Sequence, residues 1–347
     1  MSFSKYLIQW YLQNRRNLPW RKTTDPYPIW LSEIMLQQTR VAQGLPYFQK
    51  FMQAFPTVHG LAAAPEEQVL KLWQGLGYYS RARNLHATAK YIAYELEGKF
   101  PPDYNGLLKL KGVGEYTAAA IASIAYGEPV PVVDGNVYRV LARYFGIETD
   151  ISSSGAKKQF TELAASLLPK AQASAFNQAM MEFGALQCVP KNPDCTVCIF
   201  NAECAAFLTG RVNALPVKLK KTKVINRYFN YIIVKDVKGR SIINKRSGKG
   251  IWHNLYEFPL LEAEQGTDNE DVQAFINSLY GDYGITDVKL LNEVPVVHKL
   301  SHQHLHIRFW EVFTRSEVPG TLDPNVLKSY PFPVVIYNFI EKYWGST

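Results

Sequence analysis

The chain has 347 residues, 47% hydrophobic and 20% charged, a globular composition with room for more than one core. A net charge of +8 admits a polyanionic partner without requiring one. No stretch is long and apolar enough to span a membrane, and Gln9, Gln13 and Asn14 break the apolar run a signal peptide needs, so a soluble intracellular protein is expected.

Residues 3–17 predict a helix with Phe3, Leu7, Trp10 and Tyr11 on one side, stopped by Asn17-Leu18-Pro19-Trp20-Arg21. The loop Asp25-Pro26-Tyr27-Pro28 leads into a helix from about Ile29 to Gln43, whose stripe is Trp30, Ile34 and Val41. Glu33 flanks that stripe. A carboxylate beside apolar surface is desolvated, which raises its pKa and suits it to general-acid work; a solvated helix carboxylate has the same spacing. Val69 to Tyr94 reads as helical with one interruption, Gln74-Gly75-Leu76-Gly77-Tyr78-Tyr79-Ser80-Arg81-Ala82-Arg83-Asn84-Leu85. A tyrosine on such a turn can wedge between base pairs while the arginines meet phosphates, or it can belong to a buried aromatic pair.

The stretch Leu108 to Tyr144 organises the chain. Leu107, Leu108 and Leu110 close one helical segment, Gly112-Val113-Gly114 turns it, and Thr117 to Tyr126 predicts an alanine-rich helix. The amides of Gly112, Val113 and Gly114 open a helix N-terminus, a ready site for a phosphate oxygen. Pro129 and Pro131 then force an extended run that delivers Asp134 to the start of a helix over Asn136 to Tyr144. An aspartate there is an ordinary N-cap, yet a capping carboxylate keeps one oxygen for chemistry.

All four cysteines, Cys188, Cys195, Cys198 and Cys204, fall within seventeen residues with the spacing C-x6-C-x2-C-x5-C. Nothing indicates an oxidising compartment, so metal outranks disulfides. Four thiolates suit a [4Fe–4S] cluster; zinc is the competing reading, although only Cys195 and Cys198 form a short knuckle. Residues 211–225 read as a basic linker, in which Arg211, Lys218, Lys220, Lys221 and Lys223 are either DNA contacts or simply solvated.

Beyond the linker the period changes. Tyr228–Val234, Ser241–Lys245, Val288–Leu291, Val294–Val297 and His304–Phe313 predict strands, and Asp271–Leu279 and Phe332–Trp344 predict helices. This is an α+β domain. On a strand, His302, His304 and His306 would share one face, which leaves a metal site as an alternative to a binding loop.

Several of these words carry a resemblance. Leu110-Lys111-Gly112-Val113-Gly114-Glu115-Tyr116-Thr117-Ala118, followed eighteen residues after Tyr116 by Asp134-Gly135-Asn136-Val137, resembles the helix-hairpin-helix glycosylase superfamily. Trp30-Leu31-Ser32-Glu33-Ile34-Met35-Leu36-Gln37-Gln38-Thr39 resembles the acid helix of the adenine-specific mismatch glycosylases, the MutY family. The cysteine spacing is similar to that of endonuclease III and its adenine-excising relatives. The C-terminal layout resembles that family's Nudix-like domain. Gly250 to Glu264 has Glu257, Glu262 and Glu264 but no Arg-Glu…Glu-Glu core, and Pro259 interrupts any helix there, so this domain is expected to bind and not to hydrolyse.

The resemblance implies a two-domain protein. An all-α helix-hairpin-helix glycosylase domain with a [4Fe–4S] loop would span 1–210, a linker 211–225, and a Nudix-like lesion-recognition domain 226–347. It implies Glu33 as general acid and Asp134 as stabiliser of the oxocarbenium ion, oriented by Tyr116 and Asn136. Trp20, Arg21 and Gln178 would line an adenine pocket. Gln37, Gln38, Thr39 and Tyr78 would meet DNA, with Gln38 entering the stack and Tyr78 on the lesion strand. Leu300-Ser301-His302 is similar to the family's Phe-Ser-His loop that reads the damaged guanine, with Leu in place of Phe.

The implied partner is double-stranded DNA bearing adenine opposite 8-oxoguanine or guanine, met by a monomer in the cytoplasm, on the nucleoid if prokaryotic, with no membrane partner. A base inside a duplex must be flipped out to be reached. Endonuclease III-like enzymes that also cut the strand place a lysine where this chain has Tyr116, and a tyrosine cannot form a Schiff base, so a monofunctional enzyme is expected. The alternatives are an oxidised-pyrimidine glycosylase and a non-catalytic iron–sulfur DNA-binding protein.

Overall fold

The computed structural model describes residues 3–219, 223–263 and 269–345. It divides into two compact units, one of Met1–Ala63 with Asn84–Lys220 and the other of Ala64–Arg83 with Lys221–Thr347. This differs from the expected boundaries at two places: twenty residues from the middle of the supposed first domain fold with the second, and the first unit runs on to Lys220, into the expected linker.

The first unit is helical. Phe3–Asn14 buries Phe3, Leu7 and Tyr11, as its period requires, and packs on Ala173–Leu186. The expected helix over 29–43 is two helices, Pro26–Leu36 and Val41–Ala54. Asp25 caps the first, its side chain accepting from the Tyr27 amide, with Pro26 in the first turn. The break falls at Gln37-Gln38, where Gln38 takes a left-handed φ of 57°. Tyr104–Leu107 and Glu115–Tyr126 form the two arms of the glycine hairpin. Gly112 has φ 78°, and a Cβ there would stand 2.7 Å from the Asn84 Cβ, so only glycine makes this turn. Asp134 caps Gly135–Phe145, whose apolar face joins Phe160, Phe176, Met180 and Phe183 in the core.

The expected linker is partly docked. The Val217 carbonyl accepts from the Ile151 amide at 3.0 Å, and the Leu219 amide donates to the Asp150 carboxylate at 3.2 Å. Arg211 pairs with Glu148 at 2.5 Å. Lys220 and Lys221 lie outside the described residues.

In the second unit the strands are β1 (Ile225–Lys235), β2 (Asn244–Lys245), β3 (Tyr256–Glu257), β4 (Leu260–Ala263), β5 (Ile285–Leu290), β6 (Val296–Lys299) and β7 (Gln303–Thr314). A five-stranded sheet runs β4-β1-β7-β5, with β6 also on β7, and β2 and β3 pair separately. β1 and β7 are parallel, with Tyr231 opposite Phe309; the other pairings are antiparallel. Asn269–Tyr280 covers part of one face through Val272, Ile276 and Tyr280. The short strands β3 and β4 carry no sequence period. The final helix, Val334–Trp344, begins after Pro333, later than the expected Phe332.

Candidate active site

Glu33 is buried on the inner side of Pro26–Leu36. The Tyr116 hydroxyl donates to its Oε2 at 2.6 Å. Burial pushes the Glu33 carboxyl up to about 7; the Asp134 carboxylate adds to that rise, while the Tyr116 hydrogen bond and Arg21 oppose it. The group thus holds a transferable proton near neutral pH.

Asp134 is half-buried and well supplied with donors. Its Oδ1 accepts from the Asn136 amide at 2.9 Å and the Val137 amide at 2.8 Å, and its Oδ2 accepts from Asn136 Nδ2 at 2.7 Å. Burial raises its pKa, and these donors hold the rise back. Arg139 in turn donates to Asn136 Oδ1 at 2.8 Å and to the Gly184 carbonyl at 2.6 Å. The Asn136 side chain is thereby fixed from two sides.

Glu33, Tyr116, Asp134 and Asn136 line one cavity of about 710 Å3 together with Trp20, Arg21, Gln38, Thr39 and Gln178. Nine residues expected from the sequence are thus brought to one wall. Gln38, Tyr116 and Asp134 also line a second cleft, of about 900 Å3, with Gln37, Gly114 and Lys157. Gln37 Nε2 donates to Thr117 Oγ1 at 3.1 Å. Gln178 accepts from the Tyr11 hydroxyl at 3.0 Å.

Glu182, Arg16 and Met181 also line the first cavity and were not expected. Glu182 receives Arg16 Nη2 at 2.5 Å and Arg21 Nη2 at 2.7 Å. Burial alone would raise its pKa, but the hydrogen bonds from Arg21 and Arg16 outweigh it and hold the carboxyl at about 2. Some 166 residues separate Arg16 from Glu182, and no local pattern reports such a pairing. Arg139 was not expected either, although its place three residues after Asn136, on the same helix face, could have signalled it.

One expectation about the hairpin is corrected. The Val113 amide is already used, donating to the Leu110 carbonyl at 3.1 Å, and its side chain is buried. That leaves the amides of Gly112 and Gly114 as donors to an outside ligand.

The four cysteines are free and line one small cavity of about 30 Å3. Arg143 Nη1 donates to Cys188 Sγ at 3.4 Å and to the Val189 carbonyl at 2.8 Å. Among the described residues no three side chains of His, Cys, Asp or Glu are gathered closely enough to hold a metal ion. A tetrahedral zinc with 2.3 Å bonds would draw its sulfurs to about 3.8 Å from one another. The four cysteines line that one space.

The other expected residues lie in the second unit. Tyr78 is exposed with φ 48°, and its hydroxyl is hydrogen-bonded to Ser301 Oγ. The Leu300 amide donates to the Gln303 carbonyl at 2.8 Å, closing the turn between β6 and β7. His302 is exposed on that turn and not on a strand. His306 stacks on Tyr228 at 4.9 Å, with Nε2 3.1 Å from Asn226 Oδ1. Glu257 and Glu262 are engaged by Arg246 and Arg227; Glu264 lies outside the described residues. No helix among the described residues is long and apolar enough to cross a membrane.

Comparison with known proteins identifies the family of both units. Residues 31–166 match the HhH-GPD superfamily base excision DNA repair protein model, and residues 230–342 match a NUDIX domain. The adenine DNA glycosylase of Buchnera aphidicola from Schizaphis graminum is 36% identical over 306 residues, covering 88% of this chain and 86% of its own. That of Buchnera aphidicola from Baizongia pistaciae is 34% identical, covering 91% and 88%. A solved thermostable thymine-DNA glycosylase aligns with a TM-score of 0.55 at 30% identity, over 60% of this chain and 95% of that one. A helical glycosylase fold joined to a NUDIX domain, with relatives matched over most of their length, shows that this chain belongs to the adenine DNA glycosylase family and is a DNA N-glycosylase.

Proposed function

We propose that this chain excises adenine mispaired with 8-oxoguanine or guanine in double-stranded DNA, hydrolysing the N-glycosidic bond and leaving the strand uncut. The observation that carries the reading is the pairing of Glu33, protonated near neutral pH, with the donor-held carboxylate of Asp134 in one cavity. In this mechanism the flipped adenine enters between Trp20, Arg21 and Gln178. Glu33 gives its proton to the leaving base at N7. Asp134 faces the cationic sugar and stabilises it, or traps it covalently as retaining glycosidases do, until water completes hydrolysis. Tyr116 orients Glu33, and Asn136 orients Asp134.

Gln38 is read as the residue that enters the stack, which its exposed, left-handed backbone supports. Gln37 and Thr39 flank it, and the Gly112 and Gly114 amides take a phosphate. In the second unit Tyr78, Leu300, Ser301 and His302 meet the lesion strand. Asn269–Tyr280 reads NEDVQAFINSLY and lacks an Arg-Glu…Glu-Glu core, which supports binding without nucleotide hydrolysis. Cys188, Cys195, Cys198 and Cys204 would hold a [4Fe–4S] cluster, which when bound would brace the loop after Ala173–Leu186. The protein acts as a monomer.

The likeness to a thymine-DNA glycosylase favours one second reading, pyrimidine excision. Single-turnover base release separates the two, on duplexes with adenine opposite 8-oxoguanine, adenine opposite guanine, thymine opposite guanine, and thymine glycol. Adenine release, with the strand intact until alkali is added, supports the proposal. Release of a pyrimidine, or strand cleavage without alkali, supports the second reading.

A further inference from the structure

The loop that carries Tyr78 is strained. Gly75 and Gly77 have φ 106° and 72°, and Tyr78 itself lies at 48°, a conformation that a tyrosine holds only when its surroundings impose it. The segments flanking it are held by groups of the second unit. Before the loop, Lys71 Nζ donates to the Lys328 carbonyl at 2.6 Å and the Tyr330 carbonyl at 3.0 Å, and lies 4.8 Å from the Tyr337 ring centre. Gln74 Oε1 accepts from the Phe332 amide at 3.0 Å. After the loop, the Tyr79 hydroxyl donates to the Phe332 carbonyl at 3.2 Å, and Arg83 Nη1 donates to the His253 carbonyl at 2.8 Å. Side chains on the two sides of the loop thus grip both polar groups of one buried residue, Phe332. Further back, Glu66 accepts from Asn254 and Glu67 from Tyr256, each at 2.6 Å.

We propose that Lys71, Gln74 and Arg83 are positioning residues that graft Ala64–Arg83 onto the C-terminal unit, so that Tyr78 and Ser301 form one pre-assembled reader of the lesion strand. The inference rests on the reading of those two residues as lesion-strand contacts. Its physical basis is preorganisation: a tyrosine already fixed beside Ser301 has no loop to order when DNA binds. Lys71 serves this role as a half-buried cation whose pKa burial lowers; its two acceptors are main-chain carbonyls just ahead of Phe332. None of the three side chains lines the cavity around Glu33.

The test compares single-turnover adenine release and duplex affinity for adenine opposite 8-oxoguanine with those for adenine opposite guanine. Lys71→Met keeps the stem and removes two charge-assisted hydrogen bonds, and Gln74→Leu removes the grip on the Phe332 amide. Each is expected to lower the preference for 8-oxoguanine, Lys71→Met roughly tenfold or more and Gln74→Leu roughly several-fold, the scales of hydrogen bonds to charged and to neutral groups, with adenine release opposite guanine unchanged. Lys71→Arg, which keeps a cation and its donors, should restore most of the preference. In a double-mutant cycle Tyr78→Phe and Ser301→Ala should be coupled, and Lys71→Met should weaken that coupling. If Ser301→Ala lowers the preference while Lys71→Met and Gln74→Leu do not, the positioning role is overturned and the lesion-strand reading stands. If Ser301→Ala and Tyr78→Phe also leave the preference unchanged, the underlying reading fails and the positioning role with it.

Discussion

The Tyr116 hydroxyl donates to Glu33 Oε2 at 2.6 Å, and this bond tempers the rise that burial gives the acid's pKa. The bond favours the ionised carboxylate and so restrains a pKa that burial has pushed up to about 7. Tyr116→Phe should raise the Glu33 pKa further. Because the protonated form is the working one in the proposed mechanism, the alkaline limb of the pH–rate profile should move to higher pH. A limb that moves down or stays in place would contradict this role.

The same acid should cost the fold stability. A carboxyl whose pKa rises from 4.5 to about 7 on folding binds more protons folded than unfolded between those values. Stability then falls as pH rises through that window, and the penalty is complete above about 7. It amounts to about 3 kcal/mol. Glu33→Gln removes the ionisable group, so its melting temperature should exceed that of the parent at pH 8 by clearly more than at pH 5. An equal difference at both values would show that the carboxyl is not desolvated.

Asp134→Asn should separate chemistry from folding. Asparagine caps a helix about as well as aspartate, so the melting temperature should change little. The charge facing the cationic sugar is lost, and the single-turnover rate should fall roughly 100-fold or more. A large drop in melting temperature with a small loss of rate would make Asp134 structural.

Gly184 meets the site through its backbone, accepting from Arg139 and packing against Asn136. A Cβ there would lie 2.6 Å from the Asn136 Cβ and 3.1 Å from the Asn136 carbonyl oxygen. Gly184→Ala should therefore displace Asn136 from Asp134, lowering the rate and costing about 1–3 kcal/mol of stability. Chemical denaturation and single-turnover kinetics read the two effects.

The cysteine loop makes an analytical prediction. Purified protein should contain iron and acid-labile sulfide in equal amounts, and Cys198→Ser should lose both. Zinc in their place would overturn the cluster assignment.

The wall of the cavity around Glu33 was largely legible because its parts are local words. Glu33 sits in a ten-residue motif, Tyr116 follows a glycine turn, and Asp134 precedes a helix with its own capping amides. The break at Gln37-Gln38 was not legible, since the apolar stripe runs on across it to Val41. Glu182 was missed because its partners, Arg16 and Arg21, lie more than 160 residues away. The allegiance of Ala64–Arg83 is likewise non-local: Lys71 and Gln74 have helical spacing in either unit, and only their hydrogen-bond partners, beyond residue 327, show where they belong. The Val113 amide looked free because a turn hydrogen bond leaves no trace in composition.

The central claim is that Glu33 protonates adenine in a site built to hold it. Its most direct test is single-turnover adenine release by the parent and Glu33→Gln on a duplex with adenine opposite 8-oxoguanine, with binding measured on the same duplex. The parent should release free adenine and leave the strand intact until alkali is added, and Glu33→Gln should bind within a few-fold of the parent and release none. Release by Glu33→Gln at the parent rate, or no adenine release by a parent that binds tightly, would contradict the account.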